Sequence, residues 1–299
     1  MLDVIAAVLS FVLTPKEHTR FVSHGGCGAL GIASRRVTNV DSGGRAAAEP
    51  NTILRATVGS KLHGLNLEAT DDTDEMGVCV EPPEYVVGLR KFEQWVYRTQ
   101  PEGYPSGPKD LDLTIYSLRK WVRLALAGNP TVLLLLFAPP SECRVRAARG
   151  AELQQMAPSF ISRAVAEPYL GYFNAQRQRL TGERGGRALR KGLALEKPGA
   201  GYDTKYAMHM VRLGYQGIEL LETGRITLPM PPAQREFTMA IRRGEVNLDE
   251  VLARASELEQ RISGLKASSS LPERPETDLI QDWMVRTYLD RWADTTQRS

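Results

Sequence analysis

The alternation of hydrophobic and polar positions changes its rhythm as the chain is followed from one end to the other. Residues 16 to 50 are rich in Gly, Ala, Ser and Arg and keep no sustained period, which reads as a loop or lead-in. "NTILRATV" (51–58) then alternates and carries β-branched residues, predicting a strand, with a short helix expected in "SKLHGLNLE". "EMGVCVEP" (75–82) predicts a second strand stopped by Pro82 and Pro83. "TQPEGYPSGPKD" is turn chemistry throughout, and "DLDLTIYS" (110–117) predicts a third strand with period-2 alternation.

Helical periods take over from there. Ser117 is placed as the N-cap of "LRKWVRLALAG", which ends at Gly128, and Asn129-Pro130 restarts a helix with a cap followed by Pro at the first position. Further helices are predicted over 159–180, 203–223, 233–243, 248–264 and 276–292, with Asp203 capping the second of these and Gly224 closing it. Strands early and helices late give an α+β chain. The expected division is an unassigned N-terminal extension over 1–50, a small sheet core over 51–140, and a helical domain over 141–299.

Composition narrows this only slightly. The net charge of +3 and pI near 8.7 lean mildly toward anionic ligands. Three scattered cysteines (Cys27, Cys79, Cys143) do not make a disulfide framework, so a reducing, cytoplasmic setting is expected. The opening "MLDVIAAVLSFVLTP" is too short to span a bilayer, and no membrane partner is expected. Oligomeric state is not legible.

Candidate chemistry lies between the first two strands. Nucleotidyl transfer needs carboxylates that hold two divalent cations about 3.5–4 Å apart, and donors at a helix start to receive a triphosphate. Gly59-Ser60 falls at a strand-to-helix turn, where Gly permits close backbone approach and Ser adds a hydroxyl donor. Asp72 and Asp74, at i and i+2, point to one face as they enter a strand, and oxygen ligands of that kind suit Mg²⁺ or Mn²⁺. The acidic strand at 110–117 offers Asp110 or Asp112 as a third carboxylate, and both share one face. Asp110 directly follows a Gly-Pro-Lys turn, whereas Asp112 lies one pleat further in, beside the expected positions of Asp72 and Asp74.

Four blocks in order, "GSKLHGLNLEATDDTDEMGV", "DLTIYSLRKWVRLALAGNPTVLLLLFAP", "GYDTKYAMHMVRLGYQGIELLETGRI" and "LPERPETDLIQDWMV", resemble the predicted nucleotidyltransferases of the DNA polymerase β superfamily, in the branch associated with RNA ligases. The resemblance runs from about residue 53 to the C-terminus. It implies a mixed-sheet nucleotidyltransferase core followed by a helical domain, with Gly59 and Ser60 binding the triphosphate of an NTP. It also implies Asp72, Asp74 and Asp112 as catalytic residues and ligands of two Mg²⁺ or Mn²⁺ ions. Two features depart from that family: Leu134 stands where a Glu is frequent, and residues 1–50 have no counterpart.

Lys205, His209, Arg212 and Gln216 fall at i, i+4, i+7 and i+11, one stripe of a helix with no acid until Glu219. Lys205, His209 and Arg212 are the candidate contacts to nucleotide phosphates or acceptor; the plain alternative is an exposed face. Residues 177 to 197 hold seven Lys or Arg against two Glu, as a nucleic-acid backbone contact or a surface loop would. "GCGALG" (26–31) lacks the strand and helix a dinucleotide site needs, and His18, His24 and Cys27 are too scattered for a zinc site. The expectation is transfer of a nucleoside monophosphate from an NTP to an acceptor hydroxyl, with a tRNA-like RNA end as first choice of acceptor. The alternatives are a protein or small-molecule acceptor, or a catalytically silent nucleotide-binding module.

Overall fold

A computed structural model describes residues 42–67, 72–100, 107–182 and 201–296 of the chain. The N-terminal apolar stretch, "GCGALG", His18, His24, Cys27 and most of the basic 177–197 segment lie outside the described residues.

The three expected strands are present as β1 (Thr52–Thr57), β2 (Thr73–Cys79) and β4 (Leu111–Ser117). Two strands carried no expectation from the pattern: β3 (Gln94–Arg98) and β5 (Cys143–Arg146), both short and both at sheet edges. The sheet order is β3-β4-β2-β1-β5, with β2 and β4 parallel and every other pair antiparallel. Helix α1 (Ser42–Ala48) precedes β1, so the lead-in acquires structure before residue 51, and β5 extends the sheet past residue 140.

Period-2 alternation gives the sheet two buried faces. Leu54 and Ala56 of β1 and Met76 and Val78 of β2 enter one large core that continues through the helices to Tyr288. On the other face Cys79, Leu113, Ile115 and Trp95 pack with Phe92, Ala47 and Ala48 in a smaller cluster. Asp74 shares parity with Met76, so its side chain lies on the large-core face, at the open starts of the parallel pair.

Short helices connect the strands: α2 (Gly59–His63) between β1 and β2, and α3 (Pro83–Val86) after β2. Ser117 accepts from Lys120 N to cap α4 (Leu118–Leu126), and Asn129 accepts from Thr131 N and Val132 N to cap α5 (Pro130–Phe137). These two helices meet at 106°, and α5 is buried nearly all round, which is why its sequence shows no amphipathic stripe. Among the described residues no single helix is long and apolar enough to cross a membrane.

The expected helix over 159–180 is broken. It forms α7 (Ala157–Phe160), after α6 (Ala148–Gln155), and then α8 (Ala166–Leu180). Between them Arg163 N donates to Pro272 O, a distant partner that the local pattern does not contain. Helix α9 (Thr204–Thr223), capped by Asp203 and closed by left-handed Gly224, packs against α8, α10 (Pro232–Arg243) and α11 (Leu248–Ser268). The last helix, α12 (Thr277–Thr296), returns to the sheet: Tyr288 Oη donates to Glu81 Oε2 at 2.6 Å and Trp292 Nε1 to Glu81 O at 2.9 Å.

Candidate functional site

The site begins with register. Asp74 of β2 is the direct parallel partner of Asp112 of β4, and Thr73 N donates to Asp110 O at 2.8 Å to lock the two strand starts together. Asp72 precedes β2 by one residue, with the parity of Asp74. Asp72, Asp74 and Asp112 each offer a carboxylate oxygen within 4.8 Å of the others, and they are the one such metal-ligating group among the described residues. Asp110 is engaged elsewhere. Its carboxylate accepts from Gly107 N and Thr99 Oγ1, both at 2.8 Å, and fastens the preceding turn.

Gly59 and Ser60 open α2 directly beside this cluster. Val58 N donates to Asp74 O at 2.8 Å, which draws the turn onto β2. Gly59 has φ +67°, and a Cβ there would lie 2.1 Å from Asp74 Oδ2. Both the left-handed backbone and the close approach therefore require glycine. Ser60 follows at the second position of the helix, where its carbonyl accepts from Leu65 N.

The cationic side chains around the cluster are not legible in the local pattern. Arg98 of β3, directly opposite Asp112, donates from Nε to Oδ1 at 2.9 Å and from Nη2 to Oδ2 at 2.5 Å, and Gln100 Nε2 adds a bond to Oδ1 at 3.0 Å. The hydrogen bonds to Asp112, followed by the charges of Asp112, Asp72 and Asp74, hold the Arg98 guanidinium above its ordinary pKa. The β-branched and aromatic run in "QWVYR" is compatible with a strand but carries no period-2 alternation, and it does not show the partner. On the opposite face Glu75, one residue on from Asp74, is buried and clamped by Arg55 Nε at 2.5 Å and Arg144 Nε at 3.3 Å. Strand parity therefore keeps this fourth carboxylate out of the cluster.

The stripe on α9 is brought partly to the site. Arg212 Nη1 lies 2.6 Å from His63 Nε2, and the Gln216 amide lies 3.2 Å from His63 Nδ1, so α9 grips the end of α2. Lys205 sits exposed at the start of α9, and His209 is half-buried between it and Arg212. Burial first, then the charges of Arg212 and His209, push the His63 ring well below its ordinary pKa, and it stays neutral. Burial, then the charges of Arg212, Lys205 and Arg242, does the same to His209. Burial brings Arg212 down to about 10, still protonated at neutral pH, and it has no carboxylate partner among the described residues. His63 is the residue sequence reasoning missed, because its tie to Arg212 spans 149 positions. Leu134 is buried in the large core, so no acidic side chain enters from that position of α5.

A family model described as "RNA repair pathway DNA polymerase beta family" matches residues 37–286. No curated protein matches the chain. Among solved structures, a nucleotidyltransferase-like protein from Exiguobacterium sibiricum 255-15 is similar at 10% identity, covering 73% of this chain and 70% of that one, with a TM-score of 0.28. On the match that spans most of its length, this chain belongs to the RNA repair pathway DNA polymerase beta family, a group of polymerase β-type nucleotidyltransferases.

Proposed function

We propose that the protein transfers a nucleoside monophosphate from an NTP to the hydroxyl of an RNA end, with two divalent cations as cofactors. One observation carries the reading: three carboxylates converge within 4.8 Å at the starts of adjacent parallel strands, beside a glycine whose left-handed backbone and close approach to Asp74 disfavour a side chain. An all-oxygen donor set of this kind suits Mg²⁺ or Mn²⁺. Asp72, Asp74 and Asp112 would hold the ions, which when bound neutralise triphosphate charge and acidify the acceptor hydroxyl.

The chain's own residues divide the remaining work. Gly59 and Ser60 offer the backbone N–H groups and hydroxyl at the start of α2 to phosphate oxygens. Arg212, charged, half-buried and without a carboxylate partner among the described residues, supplies positive potential through the far end of the same helix. Lys205 extends that positive edge toward solvent, and His209, kept neutral between it and Arg212, offers a ring nitrogen rather than a charge. Asp112 receives the proton of the acceptor hydroxyl as its oxygen attacks the α-phosphorus; the bond from that phosphorus to the bridging oxygen breaks and pyrophosphate leaves.

The deciding experiment incubates the protein with each α-³²P-labelled NTP, Mg²⁺ and either total cellular RNA or total protein. Label in RNA, lost in Asp74→Asn, is the expected result. Label in the protein fraction would move the acceptor to a polypeptide, and no label in any fraction would return the chain to a silent nucleotide-binding module.

A further inference from the structure

Three carboxylates within 4.8 Å of one another repel, and the chain carries its own answer to that repulsion. We propose that Arg98 is a resident counter-ion of the cluster that withholds Asp112 from a divalent cation until a nucleotide is bound. The inference rests on the metal-dependent reading above and adds to it an order of events.

The geometry is specific. Arg98 engages both oxygens of Asp112 in a fork, and Gln100 takes a further position on Oδ1. Toward Asp72 and Asp74 the guanidinium acts through its charge alone. A cation held by Asp72 and Asp74 alone leaves the Arg98 fork on Asp112 in place, whereas one that also uses Asp112 must share or displace the guanidinium and work against its charge. An incoming triphosphate changes this balance, because its oxygens offer a planar guanidinium a second bidentate partner. Arg98 can then leave Asp112 and still face an anion. Nucleotide and cation binding become cooperative through one side chain, and cation alone does not complete the site. Arg98 is thus a positioning residue for Asp112. The plain alternative is a cross-strand ion pair of the ordinary, partly exposed kind, contributing a little to stability and nothing to ion binding.

Manganese titrations followed by electron paramagnetic resonance, with and without an α,β-methylene NTP analogue, separate the two. Wild type should show one tighter and one weaker ion, the weaker becoming tighter when the analogue is added. In Arg98→Ala the weaker ion should bind on the order of tenfold more tightly without nucleotide, and the analogue should add little. The same variant should melt lower than wild type in EDTA and recover more of the difference when Mn²⁺ is added. Arg98→Lys, which keeps the charge and loses the fork, should fall between. Equal ion affinities in all three proteins, with a melting deficit that Mn²⁺ does not change, would overturn the counter-ion role while leaving the metal site standing. Absence of Mn²⁺ binding in every protein, with or without the analogue, would overturn both.

Discussion

Asp74 is confined from three sides: by Gly59 across a gap that admits no Cβ, by Val58 N on its carbonyl, and by Asp112 in register on β4. Asp72 shares its face from one residue before the strand. The two residues therefore answer the same test in the same direction for activity. Asp72→Asn and Asp74→Asn should each abolish nucleotidyl transfer while melting in EDTA at or above the wild-type temperature, since one repelling charge is gone. Melting curves in EDTA with a parallel labelling assay check this, and full turnover by both variants would sink the two-ion reading. Asp112→Ala should also eliminate transfer, even at high Mg²⁺, but it strands Arg98 and should cost a little stability, about 0–1 kcal/mol for a partly exposed pair. Asp110→Ala should keep most activity, because its carboxylate serves the Gly107 turn and Thr99. A reversed pattern would place the third acid at Asp110.

At the scale of elements, α2 and α9 are joined by a buried polar contact rather than by apolar packing alone. His63 must be neutral there, because a proton on Nε2 would face the Arg212 guanidinium. Its folded pKa is depressed, so the folded state resists a proton that the unfolded chain accepts below about pH 6.5. Stability is therefore full above that pH and falls as pH drops through the window below it, by at most about 1.4 kcal/mol per pH unit for each such ring. His209 contributes in the same direction, also pressed down mainly by burial. Urea unfolding at pH 7.5 and pH 5 should show wild type losing stability between the two, and His63→Gln losing distinctly less. An identical loss in both proteins would show that His63 takes up its proton freely in the folded state.

At the largest scale, the larger of the two apolar cores among the described residues runs from β1 and β2 into the C-terminal helices, and α12 closes it against the sheet. Glu81, just past β2, is the fastening point. Its carboxylate is buried, accepts from Leu118 N at the start of α4 and from Tyr288 Oη, and is held above its ordinary pKa chiefly by that burial. Tyr288→Phe removes one donor from a buried acid and should cost about 1–3 kcal/mol. Because the core is continuous, helical circular dichroism and tryptophan fluorescence should still report a single shared transition, moved to lower denaturant. Two separated transitions in the variant would show that α12 and the sheet fold independently.

Local pattern alone carried the three inner strands, the caps at Ser117, Asn129 and Asp203, the stop at Gly224, and the candidate acids. Each of these is decided within a few residues, by alternation, by a side chain reaching its own helix start, or by a glycine that accepts positive φ. The edge strands β3 and β5 escaped because they are short and have one partner each, so their pairing is supplied by β4 and β1 rather than by their own period. The break between α7 and α8 was available in Pro168, which cannot sit inside a helix over 159–180 and which the structure places in the first turn of α8; what sequence could not supply is Pro272 O as the partner of Arg163 N. Sequence offered Asp110 and Asp112 as equals in parity and preferred Asp112 by its distance from the turn; the parallel register of β2 on β4 is what sets it directly beside Asp74. The same holds for the charges around the site. Arg98 reaches Asp112 and Arg212 reaches His63 across separations of 14 and 149 residues, distances at which nothing in the order of amino acids distinguishes one arginine from another. Residue type and spacing determined which groups could do the chemistry, and the folding of the sheet and of α9 onto α2 determined which of them meet.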